Sequence, residues 1–177
     1  DVIRQIPAGR PVSVERETFP GLLKSGARVW GHVDMSYWRD MGRPSDFVQG
    51  SSDLVRGIAP SPLLEGRAGE SLVDESAGIA SGAILVGGTS VGRGTTIGAG
   101  SRLDDCVVFD GVTIEPGALI RDSIIASGAT IGANARIQDC VIGDGVSIGA
   151  RCELQGGMRI WPGVNIPDLG IRFSPDA

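Results

Sequence analysis

One period constrains this chain more than any other feature: sixteen aliphatic residues stay in phase from Ile79 to Ile166. They fall at Ile79, Leu85, Val91, Ile97 and Leu103 in steps of six. After a step of five come Val108, Ile114 and Ile120, and after another Ile125, Ile131 and Ile137. A third step of five reaches Ile142, followed by Ile148, Leu154, Ile160 and Ile166. Four residues after most of these stands a small or β-branched residue, such as Ala83, Thr95, Ala118, Ala129 or Cys152. A six-residue unit of this kind makes one short flat strand and one turn, and three units close a triangular coil. The aliphatic fills the prism, the small residue packs beside it, and Gly, Asn or Asp supports the corner. Coils stack at the strand spacing of about 4.8 Å, each hydrogen-bonded only to its neighbours. Hexapeptide periods of this type are a solenoid signature.

The expected class is therefore mainly β, a parallel solenoid. Two steps of six and one of five make a 17-residue coil. About five coils fit between Ile79 and Ile166, roughly 25 Å of prism. The hexads resemble those of the left-handed parallel β-helix family. The hand rests on that resemblance, since parallel crossovers are otherwise right-handed in ~98% of cases.

Residues 17 apart stack, so columns can be read directly. Asp105, Asp122 and Asp139 form one column. It is either a cation site between coils or, as the residue type favours, the corner of each five-residue step. There Asp tolerates left-handed backbone and can bond a nearby amide. Thr96, Thr113, Thr130 and Ser147 form an outward row that suits a flat strand face. Cys106 and Cys140 lie two coils apart with Ser123 between them. That is about 10 Å by the strand spacing, too far for a disulfide, and Cys152 points inward as core.

Composition narrows the functions. A net charge of −5 argues against a nucleic-acid binder. No apolar run is long enough for a membrane helix. With three cysteines, no CxxC pair and no signal peptide, the chain reads as cytoplasmic, without a zinc ribbon. The single histidine, His32, lies outside the repeats. Hexapeptide acyltransferases as a family use a histidine base in or between coils, so acyl transfer by the solenoid is disfavoured.

The first sixty residues differ. They hold seven of the 28 glycines but Phe19, Trp30, Tyr37, Trp38 and Phe47. Ser13 is placed to cap a short helix with Glu15 and Glu17 in its first turn, shortened or kinked by Pro20. Arg28–Val33 reads as a strand. Pro44 starts a second helix whose apolar positions are Phe47, Leu54 and Ile58. The stretch 57–62, Gly-Ile-Ala-Pro-Ser-Pro, reads as a helix stop and a stiff linker.

The segments 13–20 (SVERETFP) and 37–44 (YWRDMGRP), followed by a helix and hexads, resemble the sugar-1-phosphate nucleotidyltransferases. Within them the likeness is to the GDP-mannose pyrophosphorylases, or mannose-1-phosphate guanylyltransferases, of the actinobacterial type. It extends through 57–62 to Trp161-Pro162-Gly163-Val164. The resemblance implies formation of GDP-mannose and pyrophosphate from GTP and mannose 1-phosphate, with Mg²⁺ as cofactor. It implies Asp40 as a metal ligand, and Glu15, Trp38 and Gly42 as substrate-binding positions. Arg43 departs from the Thr or Gln usual there. The family's glycine-rich phosphate loop, second metal-binding aspartate and Asn-Ala-Gly sugar segment do not occur in these 177 residues.

The expected division is 1–58 as the end of a nucleotidyltransferase α/β domain, 59–78 as linker, 79–166 as left-handed β-helix and 167–177 as tail. The chain alone is expected to be inactive. A non-catalytic solenoid for assembly or regulation, or an enzyme for another sugar 1-phosphate, are the alternatives. Homo-oligomerisation is expected too, because Phe19, Leu22, Leu23, Trp30 and Trp38 expose apolar surface once their sheet is missing.

Overall fold

The computed structural model describes residues 2–172. It divides into two compact units, Asp1–Ser36 and Tyr37–Ala177. In the first, Ser13 caps a π-helical turn, Val14–Thr18, by accepting a hydrogen bond from the Arg16 amide at 3.1 Å. Helix α1, Phe19–Lys24, follows directly, with Pro20 in its first turn where a missing N–H costs nothing. Residues 27–36 form no helix or strand, so the strand expected at Arg28–Val33 is absent. An extended chain becomes a strand only with a partner ladder, and none of the described residues supplies one. Trp30 is 85% exposed and Val33 80%.

The second unit is built on a parallel β-solenoid. Its strands begin at Ser71–Val73 and end at Asn165–Ile166, and every ladder between them is parallel. One face stacks Gly78, Thr96, Thr113, Thr130, Ser147 and Asn165 in register, six strands deep. The prism has about six turns, one more than the hexads suggested. The extra turn comes from the ends. Val73 aligns with Val91, and Glu153 donates its amide to Ile171 at 2.8 Å. Both Val73 and Ile171 pack against the core. End coils are 18 residues long, as in Ile79↔Ile97 and Ile148↔Ile166, whereas the middle register is 17, as in Ile97↔Ile114. The presumed linker 59–78 thus holds the opening strands, after a short 3₁₀ turn at Pro62–Leu64.

The inward aliphatics make the core. Ile97, Leu103, Ile114, Ile120, Ile125, Ile131, Ile137, Ile142, Ile148 and Leu154 are all essentially inaccessible. Each contributes roughly 1.5–3 kcal/mol by leaving water. Between them sit the small residues, and where these carry hydroxyls every one is satisfied. Thr95 Oγ1 donates to the Phe109 carbonyl at 2.8 Å and accepts from the Val112 amide; Ser101 does the same with Glu115 and Ala118. Cys106, Cys140 and Cys152 are free and buried. Burial pushes the Cys106 thiol up to about 12 and the Cys140 thiol to about 11, so neither is a nucleophile at neutral pH.

The corners need left-handed backbone. One column supplies it with Gly94, Gly111, Gly128, Gly145 and Gly163. At the five-residue steps Asp105, Asp122 and Asp139 supply it, with φ of 50°, 48° and 53°. This is the corner role. Among the described residues no three His, Cys, Asp or Glu side chains gather as a metal site.

Helix α2, Pro44–Val55, lies along this Asp corner and packs on the strands Thr89–Val91, Arg102–Val108 and Leu119–Ile125. It does not use the face that its largest apolar residues suggested. Val48, Ser52 and Val55 are buried, while Phe47, Leu54 and Ile58 remain exposed, with Phe47 stacked on Phe109 at 6.5 Å. Close approach explains the choice. Ser52 donates to the Gly87 carbonyl at 2.6 Å, and Ser51 shares a hydrogen bond with Ser90 at 3.2 Å. At Gly88, φ +83°, an added Cβ would stand 2.7 Å from Ser52 Cα. Only small residues let helix and corner meet.

Two substitutions test this packing. Ile131→Asp should lower stability by several kcal/mol by burying an unpaired carboxylate, read by urea denaturation. Gly88→Ala should cost about 1–3 kcal/mol from backbone strain and also loosen α2, read as faster amide exchange in Val48–Val55. Unaltered exchange there would refute the close-contact account.

Candidate active-site segment

Residues 37–42 run into α2 without forming a helix or strand. Arg43, the residue before Pro44, is extended (φ −134°, ψ 158°), as a following proline requires, and Pro44 opens the helix. Alternate residues of the segment face opposite ways. Tyr37, Arg39 and Met41 lie on α2, and Trp38, Asp40 and Gly42 do not.

The α2 side is held by Asp53, whose side chain is only 4% exposed. Tyr37 donates its hydroxyl to Asp53 Oδ2 at 2.7 Å. Arg39 donates to the same oxygen from Nε at 3.1 Å and Nη2 at 2.8 Å, and Nε also donates to Tyr37 Oη at 3.1 Å. Gln49, one turn earlier on α2, donates to Oδ1 at 3.0 Å. Met41 lies over Gly50, where a side chain would collide with its Cε. Burial opposes the charge on Asp53, but the hydrogen bonds from Tyr37, Gln49 and Arg39, with the Arg39 charge, outweigh it and hold the carboxyl below its usual value.

The other side is open. Trp38 is 81% exposed, and Asp40 is exposed with no described hydrogen-bond partner. A Cβ on Gly42 would come 3.8 Å from an Asp40 carboxylate oxygen, an ordinary contact, so the two residues are neighbours on this side. An unencumbered carboxylate is an oxygen ligand that could serve a hard cation such as Mg²⁺. Trp38, Asp40 and Gly42 therefore share one segment. Glu15 lies in the other unit, exposed on the π-helical turn; its neighbour Glu17 pairs with Arg10 at 2.8 Å. Sequence reasoning missed Asp53 and its ring of donors. The available signal was Gln49 and Asp53 one turn apart behind a Tyr-x-Arg-x-Met alternation.

Comparison with known proteins places the chain. The model of the GMPPB C-terminal domain matches residues 67–167. The chain belongs to that family. It is 65% identical over 177 residues to a mannose-1-phosphate guanylyltransferase of Mycobacterium tuberculosis, covering 99% of this chain and 49% of that protein. Mannose-1-phosphate guanylyltransferase 1 of Arabidopsis thaliana is 34% identical over 108 residues, covering 58% of this chain and 30% of that protein. The chain thus spans about half the length of the mycobacterial relative and matches its C-terminal part. Among solved structures, a GDP-perosamine N-acetyl transferase from Caulobacter crescentus superposes with a TM-score of 0.50 at 18% identity, covering 62% of this chain and 55% of that one. That likeness concerns the fold alone, the left-handed parallel β-helix of hexapeptide proteins. Family and fold agree with what the hexads and the 37–44 segment implied.

The Asp53 lock carries a pH dependence. A carboxyl depressed in the folded state stabilises above its unfolded value and loses that contribution as pH falls through the folded value. With Trp30 and Trp161 replaced by Phe, Trp38 emission should hold steady from neutral pH down to about 4 and change only below it. A transition centred near about pH 6 would contradict a carboxylate lock.

Proposed function

We propose that this chain is the C-terminal portion of an enzyme that makes GDP-mannose and pyrophosphate from GTP and mannose 1-phosphate. One observation carries the reading: the 65% identity to the mycobacterial guanylyltransferase spans 99% of the chain, so it includes the Trp38–Gly42 segment as well as the solenoid. In the reaction a phosphate oxygen of mannose 1-phosphate attacks the α-phosphorus of GTP. A new P–O bond forms, the α–β bridging bond breaks, and pyrophosphate leaves with the electron pair. Two anions must approach each other, and Mg²⁺ supplies charge neutralisation and a shared template for the phosphates. Asp40 is the residue of this chain that would hold it. Trp38 and Gly42 are positions proposed to contact substrate, and Glu15 is proposed as a substrate-binding position by resemblance alone.

The same reading proposes a cytoplasmic setting and self-association. Among the described residues no helix is long and apolar enough to cross a membrane. Association is supported by apolar side chains left in water, among them Ile3, Leu23, Trp30, Val33 and Met35.

The test is pyrophosphate release from GTP and mannose 1-phosphate. The 177-residue chain alone should release none, lacking a phosphate-cradling loop. In the product of the complete gene, Asp40→Asn should lower turnover by about 10²-fold or more, the loss of a few kcal/mol of charge stabilisation. It should raise the Mg²⁺ requirement and leave the solenoid's melting unchanged. Wild-type turnover of that variant at limiting Mg²⁺ would remove Asp40 from the metal site.

A further inference from the structure

Asp40 sits in a segment with no secondary structure of its own, yet a metal ligand must be held in place to act. A free six-residue stretch would sample many conformations, and a misplacement of about 1 Å can cost 10²-fold in rate. What holds this stretch is the alternation described above. Tyr37 and Arg39 flank Trp38, Arg39 and Met41 flank Asp40, and all three flanking side chains are fastened to α2. The fastening converges on one oxygen, Asp53 Oδ2, which accepts from Tyr37 Oη and from two nitrogens of Arg39. Asp53 is itself fixed on both sides. Gln49 occupies its other oxygen, and its backbone carbonyl accepts the amides of Ile58 at 2.8 Å and Ala59 at 2.9 Å where α2 ends. The preceding residue, Ser52, bonds the solenoid corner at Gly87.

We infer that Asp53 is a positioning residue: it ties Tyr37 and Arg39 to α2 and thereby holds Trp38 and Asp40 in one place relative to the solenoid. The inference rests on the proposed guanylyltransferase reaction for its purpose, though not for its geometry. A buried carboxylate accepting this many bonds is costly to desolvate, and losing one partner leaves the other unpaired. Asn at this position keeps the shape but removes the charge that Arg39 needs and puts an NH₂ where acceptors are required.

The test has two arms. The first uses this chain with Trp30 and Trp161 replaced by Phe, so that anisotropy decay reports Trp38 alone. In the parent most of the anisotropy should decay at the tumbling rate of the folded body. Asp53→Asn should add a fast component, and Tyr37→Phe, which removes only one bond, a smaller one. In both, the solenoid should keep a single cooperative far-UV melt, at a somewhat lower temperature because α2 loses buried bonds. Asp104→Asn, which breaks the 2.8 Å pair with Arg102 on the solenoid face, is the control and should add none. The second arm measures the complete gene product. Asp53→Asn should lower kcat by up to about 10²-fold with KM for GTP little changed.

Unchanged Trp38 anisotropy in both variants overturns the pinning. A fast component that appears only together with loss of the solenoid melt also overturns it, because Asp53 would then be merely structural. A complete enzyme whose kcat ignores Asp53→Asn, despite a freed Trp38, overturns the positioning role. A wild-type gene product that forms no GDP-mannose defeats the functional reading instead, and the anisotropy arm still decides the pinning.

Discussion

The structure depends on aliphatic side chains stacking inside a prism at the spacing of β-ladders. Each coil bonds only to the coils above and below, so its interior residue must sit directly over the previous one. Ile97, Ile114, Ile131 and Ile148 do so on one face, with their amides and carbonyls in register. That requirement fixes coil length at 17 or 18 residues and demands a left-handed residue wherever the chain turns. It also yields flat faces and straight corners, against which other elements can rest without adjustment.

Helix α2 uses such a corner. The backbone turn at Gly87 and Gly88 leaves room for Ser52, and the helix lies beside the Asp column rather than over an apolar face. The helix in turn carries Asp53, and Asp53 carries Tyr37 and Arg39. Each link is a specific contact, from the interior of the prism through corner, helix and carboxylate to the exposed Trp38 and Asp40. The solenoid thus supplies the fixed frame from which the 37–42 segment is held.

The repeat was legible because interior stacking leaves its period in the sequence, and the Asp corners because residue type follows backbone hand. The end coils were not. Val73 and Ile171 stand in phase, but Asp74 and Arg172 follow them where the middle coils often place glycine. The face of α2 was misjudged because apolar size was taken as the guide. Phe47, Leu54 and Ile58 are larger than Val48, Ser52 and Val55, yet close backbone approach selects the small residues. Arg28–Val33 looked like a strand by composition, but a strand needs a partner, which composition does not specify. Within the candidate site, Trp38, Asp40 and Gly42 were visible through family resemblance. Asp53 was hidden, because a helical carboxylate looks solvated until its partners from sixteen and fourteen residues away are known.

The central claim is that the solenoid and α2 form one cooperative body. Native-state hydrogen exchange tests it most directly. If the claim holds, the amides of Val48–Val55 share the opening free energy of the middle coils around Ile114 and Ile131, and they respond identically to denaturant. Exchange of the α2 amides orders of magnitude faster than the coils, as in a helix that frays independently, would contradict it.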